Sequence, residues 1–79
     1  MKPIEKAINT VGAAAELARI CGIKPQNVTR WRREGRPPVD HCPSIEAATG
    51  IRCELLRPDC VWTRDEAGAV TGYHVRINH

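Results

Sequence analysis

The sequence predicts a mainly α-helical domain of about five short helices that ends in a β-hairpin. Three observations carry that prediction. Successive segments up to residue 57 repeat apolar residues at helical spacing, and glycines at 12, 22, 35 and 50 punctuate them. After Val61 the apolar period changes from that of a helix to that of a strand.

The 79 residues suffice for one domain, read as a helical part over residues 1–60 and a hairpin or dimerisation ribbon over residues 61–79. A chain this short buries only about 60% of the surface its unfolded form exposes, so a partner or a dimer interface would add stability. There is no Phe, and Trp31, Trp62 and Tyr73 are the only aromatic residues. Leu, Ile, Val and Ala therefore do most of the packing.

The first helix is expected over residues 3–11, where Ile4, Ala7, Ile8 and Val11 form one apolar stripe and Pro3 suits the opening turn. Residues 13–21 are rich in helix formers and set Ala14, Leu17, Ala18 and Cys21 on one face. Gly22 supplies the positive φ of a helix terminus, and Ile23 folds back as the apolar contact of such a cap.

A third helix runs from about Pro25 to Glu34, with Val28 and Trp31 inward and Gly35 ending it. Lys24 stands at its N-cap, where Ser or Thr would be the better residue. Arg36-Pro37-Pro38 makes a rigid extended connector. Asp40 is expected to cap a fourth helix over residues 41–49, with Cys42, Ile45 and Ala48 or Thr49 buried and Gly50 closing it. Residues 53–57 read as one more short helix that Pro58 stops, with Leu55 or Leu56 returning to the core.

From Val61 onward Tyr73, Val75 and Ile77 alternate with His74 and Arg76, the pattern of a hairpin whose turn or bulge uses Gly68 and Gly72. Tyr73, Val75 and Ile77 on an open strand edge form a ready pairing surface, and with it a homodimer.

Charge separates the two halves. Residues 1–36 hold eight Lys/Arg against three Asp/Glu, and residues 37–79 hold four against six. An anionic partner therefore belongs to the first half, around Lys24, Arg30, Arg32, Arg33 and Arg36. Cys21, Cys42, Cys53 and Cys60 lack the close ligand pairs of a zinc site, and with no signal peptide they read as reduced thiols of a cytoplasmic protein. No apolar run approaches the roughly 20 residues of a membrane span. His41, His74 and His79 have no partner spacing for catalysis, Glu46 and Glu54 read as helix surface charges, and neither an enzyme nor a cofactor is expected. Arg57 and Asp59 around Pro58 read as a local structural bridge.

A helix that enters the major groove of duplex DNA must be short, held by an apolar back, and polar toward base edges. The third helix divides its residues in that way. At this point the sequence resembles the helix-turn-helix of phage Cro and repressor proteins: Ala18 matches the small residue at the helix crossing, Gly22 the turn glycine, and Val28 and Trp31 the two anchors. The resemblance extends to the YdaS-like branch of Cro-type regulators through Ile45, Glu46, Thr49, Gly50, Leu56, Arg57, Pro58 and Asp59. Together the two cover residues 3–60.

The resemblance implies a Cro/repressor-like fold and a transcriptional repressor of phage or prophage type that binds double-stranded operator DNA. It implies base contacts from Lys24, Gln26, Thr29 and Arg30, with Gln suited to adenine and Arg to guanine, and an apolar contact from Pro25. Phosphate contacts would come from Asn27, Arg32, Arg33 and Arg36, and from the backbone N–H groups of Gly12, Ala13 and Ala14. The competing reading of the arginines is a solvated face, and that of Gln26 and Thr29 is ordinary surface polarity. The rival function is an antitoxin that binds a partner toxin and regulates its own operon.

Overall fold

The computed structural model describes residues 1–76, so the expected apolar position Ile77 lies outside the described residues. The elements follow in order: α1 (Pro3–Val11), α2 (Ala14–Cys21), α3 (Pro25–Glu34), a 3-10 turn (Val39–His41), α4 (Cys42–Thr49), α5 (Cys53–Leu56), β1 (Cys60–Arg64) and β2 (Val70–Val75). The fold is thus five helices followed by a two-stranded antiparallel hairpin. No helix among the described residues is long and apolar enough to cross a membrane.

The apolar stripes set the core. Ile4, Ala7 and Ile8 of α1, Leu17 and Ala18 of α2, and Val28 and Trp31 of α3 are buried together with Cys42, Ile45, Cys53 and Leu56. Leu56 enters the core, while Leu55 is 60% exposed. Trp31 is the largest side chain in this cluster, and its ring meets His41 at a centroid distance of 5.2 Å. Its Nε1 has no hydrogen-bond partner among the described residues, so the indole contributes through packing.

Cys42 and Cys53 belong to that core as free thiols, Cys60 is a buried free thiol on β1, and Cys21 is half-buried. Burial pushes the Cys42 thiol up to about 12 and the Cys53 thiol up to about 11. Cysteine acts here as a small apolar filler in a protein without Phe.

One expected cap is corrected. Asp40 does not cap α4: residues 39–41 form the 3-10 turn, and its last residue, His41, precedes α4 in the right-handed helical region. Two prolines hold the chain extended up to Pro38, whose carbonyl accepts the His41 N–H at 3.2 Å. The turn feeds α4 directly, which leaves the Asp40 side chain exposed and outside capping geometry.

The hairpin pairs Cys60 with Val75, Val61 with His74, Trp62 with Tyr73 and Thr63 with Gly72. The register then shifts between Thr63 and Arg64, which faces Val70. Gly68 takes a φ of +86° in the connecting turn, where Asp65 Oδ1 accepts the Ala67 and Ala69 N–H groups. Gly72 sits at the bulge side of the ladder.

A second correction concerns the two glutamates read as surface charges. Glu46 of α4 and Glu54 of α5 both accept hydrogen bonds from Arg64, whose side chain is only 14% exposed. Side-chain hydrogen bonding from Arg64 lowers both carboxyl pKa values, that of Glu54 to about 2. Arg64 also donates to the Gly68 carbonyl at 2.7 Å, so one guanidinium ties the hairpin turn to two helices. The pairing spans 18 residues to Glu46 and 10 to Glu54, beyond the reach of local sequence patterns.

Candidate nucleic-acid interface

The turn between α2 and α3 is built by backbone geometry. Gly22, at φ +70°, lets its N–H reach the Arg19 carbonyl and lets the Ile23 N–H reach the Ala18 carbonyl at 3.0 Å. This pair of bonds is the Schellman closure, and it sends the chain back toward the core at Ile23, which packs against it. Lys24 is extended and makes no side-chain cap, and Pro25 takes the first turn, where its missing N–H costs nothing. The N-cap lacks a side-chain contribution: the Lys24 carbonyl accepts the Asn27 N–H at 3.0 Å, and the Lys24 side chain caps nothing.

With Val28 and Trp31 fully inward, the opposite side of α3 is fixed. Pro25, Gln26, Thr29, Arg30, Arg32 and Arg33 are exposed, as is Lys24 ahead of the helix, while Asn27 is half-buried. The structure therefore brings all the expected base-facing residues onto one open surface. The Thr29 hydroxyl donates back to the Pro25 carbonyl at 3.2 Å, which orients its oxygen but leaves it free to accept.

The cations differ in how far they are already committed. Arg30 Nε lies 4.0 Å from Glu34 Oε1 one turn on, and Arg32 Nε lies 3.8 Å from Glu5 Oε1 on α1. Arg36 Nη1 lies 3.6 Å from Asp59 Oδ2. Lys24 and Arg33 have no ion-pair partner among the described residues. All the paired arginines remain more than half exposed, so each contact is worth at most about 1 kcal/mol and yields readily to a stronger anion. Of these pairs, sequence could have suggested only Arg30 with Glu34, from its four-residue spacing.

At the far end of α3, Gly35 has φ +89°, and the Gly35 and Arg36 N–H groups both bond the Trp31 carbonyl, at 2.7 and 3.1 Å. The Lys2 side chain lies over Gly35 on its open side, with its ammonium 2.8 Å from where a Cβ would stand. An ammonium beside the C-terminal carbonyls of a helix complements its dipole. The basic surface thus gains Lys2, which sequence spacing could not have brought there.

The three amides expected ahead of α2 are not equivalent. Gly12 donates its N–H to the Ile8 carbonyl at 2.9 Å, closing α1, and so is already spent. The Ala13 and Ala14 N–H groups have no acceptor among the described residues and stand at the open start of α2. The Gly12 N–H thus already has an acceptor within this chain, unlike those of Ala13 and Ala14.

Behind the interface, Arg57 Nε and Nη2 hold the two Asp59 oxygens at 2.8 and 2.7 Å, and Arg57 Nη1 donates to the Pro37 carbonyl at 3.1 Å. The hydrogen bonds from Arg57 hold the Asp59 carboxyl down at about 2. The local bridge read from the sequence is present, and it also clamps the connector that leaves α3.

The profile of the family described as "Bacterial toxin YdaS" matches residues 4–65. This chain belongs to the YdaS family. Among YdaS relatives, it is 39% identical over 62 residues to an Escherichia coli K12 protein named "Putative transcriptional regulator YdaS". That alignment covers 75% of this chain and 63% of the relative, so the chain spans less than two thirds of that protein's length. The YdaS fold seen here is also that of a Cro protein. The structure of the Cro protein of Xfaso 1 from Xylella fastidiosa strain Ann-1 matches with a TM-score of 0.71 and 38% identity, over 75% of this chain and 94% of that one. XPH1, a hybrid of the Cro proteins Xfaso 1 and Pfl 6, matches with a TM-score of 0.56 and 36% identity, over 63% of this chain and 77% of the hybrid.

Proposed function

We propose that this protein is a sequence-specific, double-stranded DNA-binding transcriptional repressor of the Cro type, of phage or prophage origin, acting in the cytoplasm. The observation that carries the reading is the two-sided third helix: Val28 and Trp31 are buried, and Lys24, Pro25, Gln26, Thr29 and Arg30 are exposed together. In the proposed complex those five meet base edges, and Asn27, Arg32, Arg33 and Arg36, with the amides of Ala13 and Ala14, meet phosphates. The named Cro structures and the E. coli relative support the coarser part of this reading, a DNA-binding transcriptional regulator.

The protein acts as a homodimer on its operator in this reading, through the ribbon of residues 61–79. Tyr73 and Val75 of β2 are 44% and 57% exposed, which supports a second chain pairing there. Two α3 helices would then read half-sites about one helical turn apart. Footprinting on the DNA that flanks its own gene, at defined salt, tests the proposal. A protected palindrome is expected, and equal affinity for unrelated duplexes would refute sequence-specific reading.

The antitoxin alternative draws on the same exposed apolar residues, with Leu55 added, as a surface for a partner toxin. Co-purification with the product of an adjacent gene, persisting in a variant that no longer binds DNA, would favour it.

A further inference from the structure

We infer that Asp59 is an affinity-setting residue for the proposed DNA interface: it is a fixed anion inside the chain that competes with a DNA phosphate for Arg36. The inference rests on the DNA-binding reading and adds to it a residue that lies outside the reading helix.

Three observations distinguish Asp59 from an incidental surface partner. Its carboxylate is immobilised, because Arg57 takes both oxygens at 2.8 and 2.7 Å while anchoring itself on the Pro37 carbonyl. Arg36 is the movable member: its Nη1 stands 3.6 Å from Oδ2, beyond hydrogen-bond distance, and its side chain is 56% exposed. The Arg36 backbone is nonetheless fixed, since its N–H closes the end of α3 on the Trp31 carbonyl. A side chain rooted at the exit of the reading helix is thus drawn toward an anion that offers it attraction without a hydrogen bond.

A phosphate offers that guanidinium paired, charge-assisted hydrogen bonds, which are the stronger interaction. Arg36 swings to it, and Asp59 keeps Arg57. Each binding event therefore includes the loss of one exposed ion pair, a cost equal to a factor of about two to five in affinity.

The test is a double-mutant cycle with duplex DNA containing the protein's own upstream sequence, at one fixed salt concentration. Asp59→Asn, which retains an acceptor for Arg57, should tighten binding about two- to fivefold in the wild-type background and leave it unchanged in an Arg36→Gln background. Equal tightening in both backgrounds would mean that Asp59 acts by general charge, and weakening in the wild-type background would mean that it positions Arg36. Either result overturns the inference while the DNA-binding reading stands. Failure of the unsubstituted protein to bind any duplex at low salt would remove both. Should Asp59→Asn not fold, NMR of the wild-type side chains decides: the Arg36 Nε–H and Asp59 carboxyl carbon signals must both shift on addition of duplex. An Asp59 signal that stays in place at saturation rejects the competition.

Discussion

Arg64 and Glu46 form a two-pronged ion pair, Nη1 to Oε2 at 2.8 Å and Nη2 to Oε1 at 2.5 Å, that joins the hairpin to the fourth helix across 18 residues of sequence. The geometry is the fork-to-fork arrangement in which a guanidinium is hard to replace. Arg64→Met should retain the aliphatic packing but release the hairpin. Amide hydrogen exchange in β1 and β2 should accelerate while that in α2 and α3 changes little, and unaltered hairpin protection would show the pair to be dispensable.

Acid should loosen the same node and the Arg57–Asp59 bridge. The Glu54 and Asp59 carboxyls have folded pKa values of about 2, and that of Glu46 is also lowered. Carboxyls whose pKa is depressed by folding contribute stability that is complete above their unfolded values near 4 and is lost as pH falls toward 2. Urea unfolding midpoints should thus be level from neutrality to about pH 5 and fall between about pH 4 and 2. Glu54→Gln should flatten part of that fall, and an unchanged slope would exclude Glu54 as a contributor.

The packing of α2 against α3 predicts a larger effect. Leu17 is fully buried, and Leu17→Ala should destabilise the fold by about 2 to 5 kcal/mol in chemical denaturation. Gly22→Ala forces a side chain into φ +70° and should cost about 1 to 2 kcal/mol, with nothing near the new Cβ to add a clash. A loss from Gly22→Ala as large as that from Leu17→Ala would point to a packing role for the glycine.

Thiol chemistry should follow burial. With Cys42 and Cys53 pushed up to about 12 and 11 and Cys60 buried, the half-buried Cys21 should be the first to react with iodoacetamide. Mass spectrometry of the native protein should find label at Cys21 well before the other three, whereas labelling in urea should be uniform. Early label at Cys42 would contradict the core described above.

Within the proposed interface, Arg30→Ala should cost about 1 to 3 kcal/mol in operator affinity and relax base preference. Arg33→Ala should weaken all duplexes alike and flatten the salt dependence by about one unit. Binding titrations against a matched and a scrambled duplex over a range of salt separate the two behaviours.

The local devices of this fold were legible in the residues themselves. Pro3 and Pro25 open helices and Gly12, Gly22, Gly35 and Gly50 close them, so the bounds of α1 and α3 followed from single positions. Val28 and Trp31 were legible as anchors because their three-residue spacing fits only one face. What escaped was non-local: Arg64 with Glu46 and Glu54, Arg32 with Glu5, Arg36 with Asp59, and Lys2 over Gly35. Charged side chains carry no periodic signal, and their partners are set by how helices pack. Asp40 shows the opposite error, where a good capping residue was overruled by a proline-fed 3-10 turn.

The two tryptophans stand in different company, Trp31 against His41 in the helical core and Trp62 against Tyr73 on the hairpin, 5.4 Å between ring centroids. The molecule therefore contains a separate optical probe in each of its two structural parts. With Trp62→Phe the remaining emission reports the reading helix, and with Trp31→Phe it reports the ribbon. Overlaying the two denaturation curves would reveal whether helices and hairpin melt as one cooperative unit or in succession, without a dye or a label.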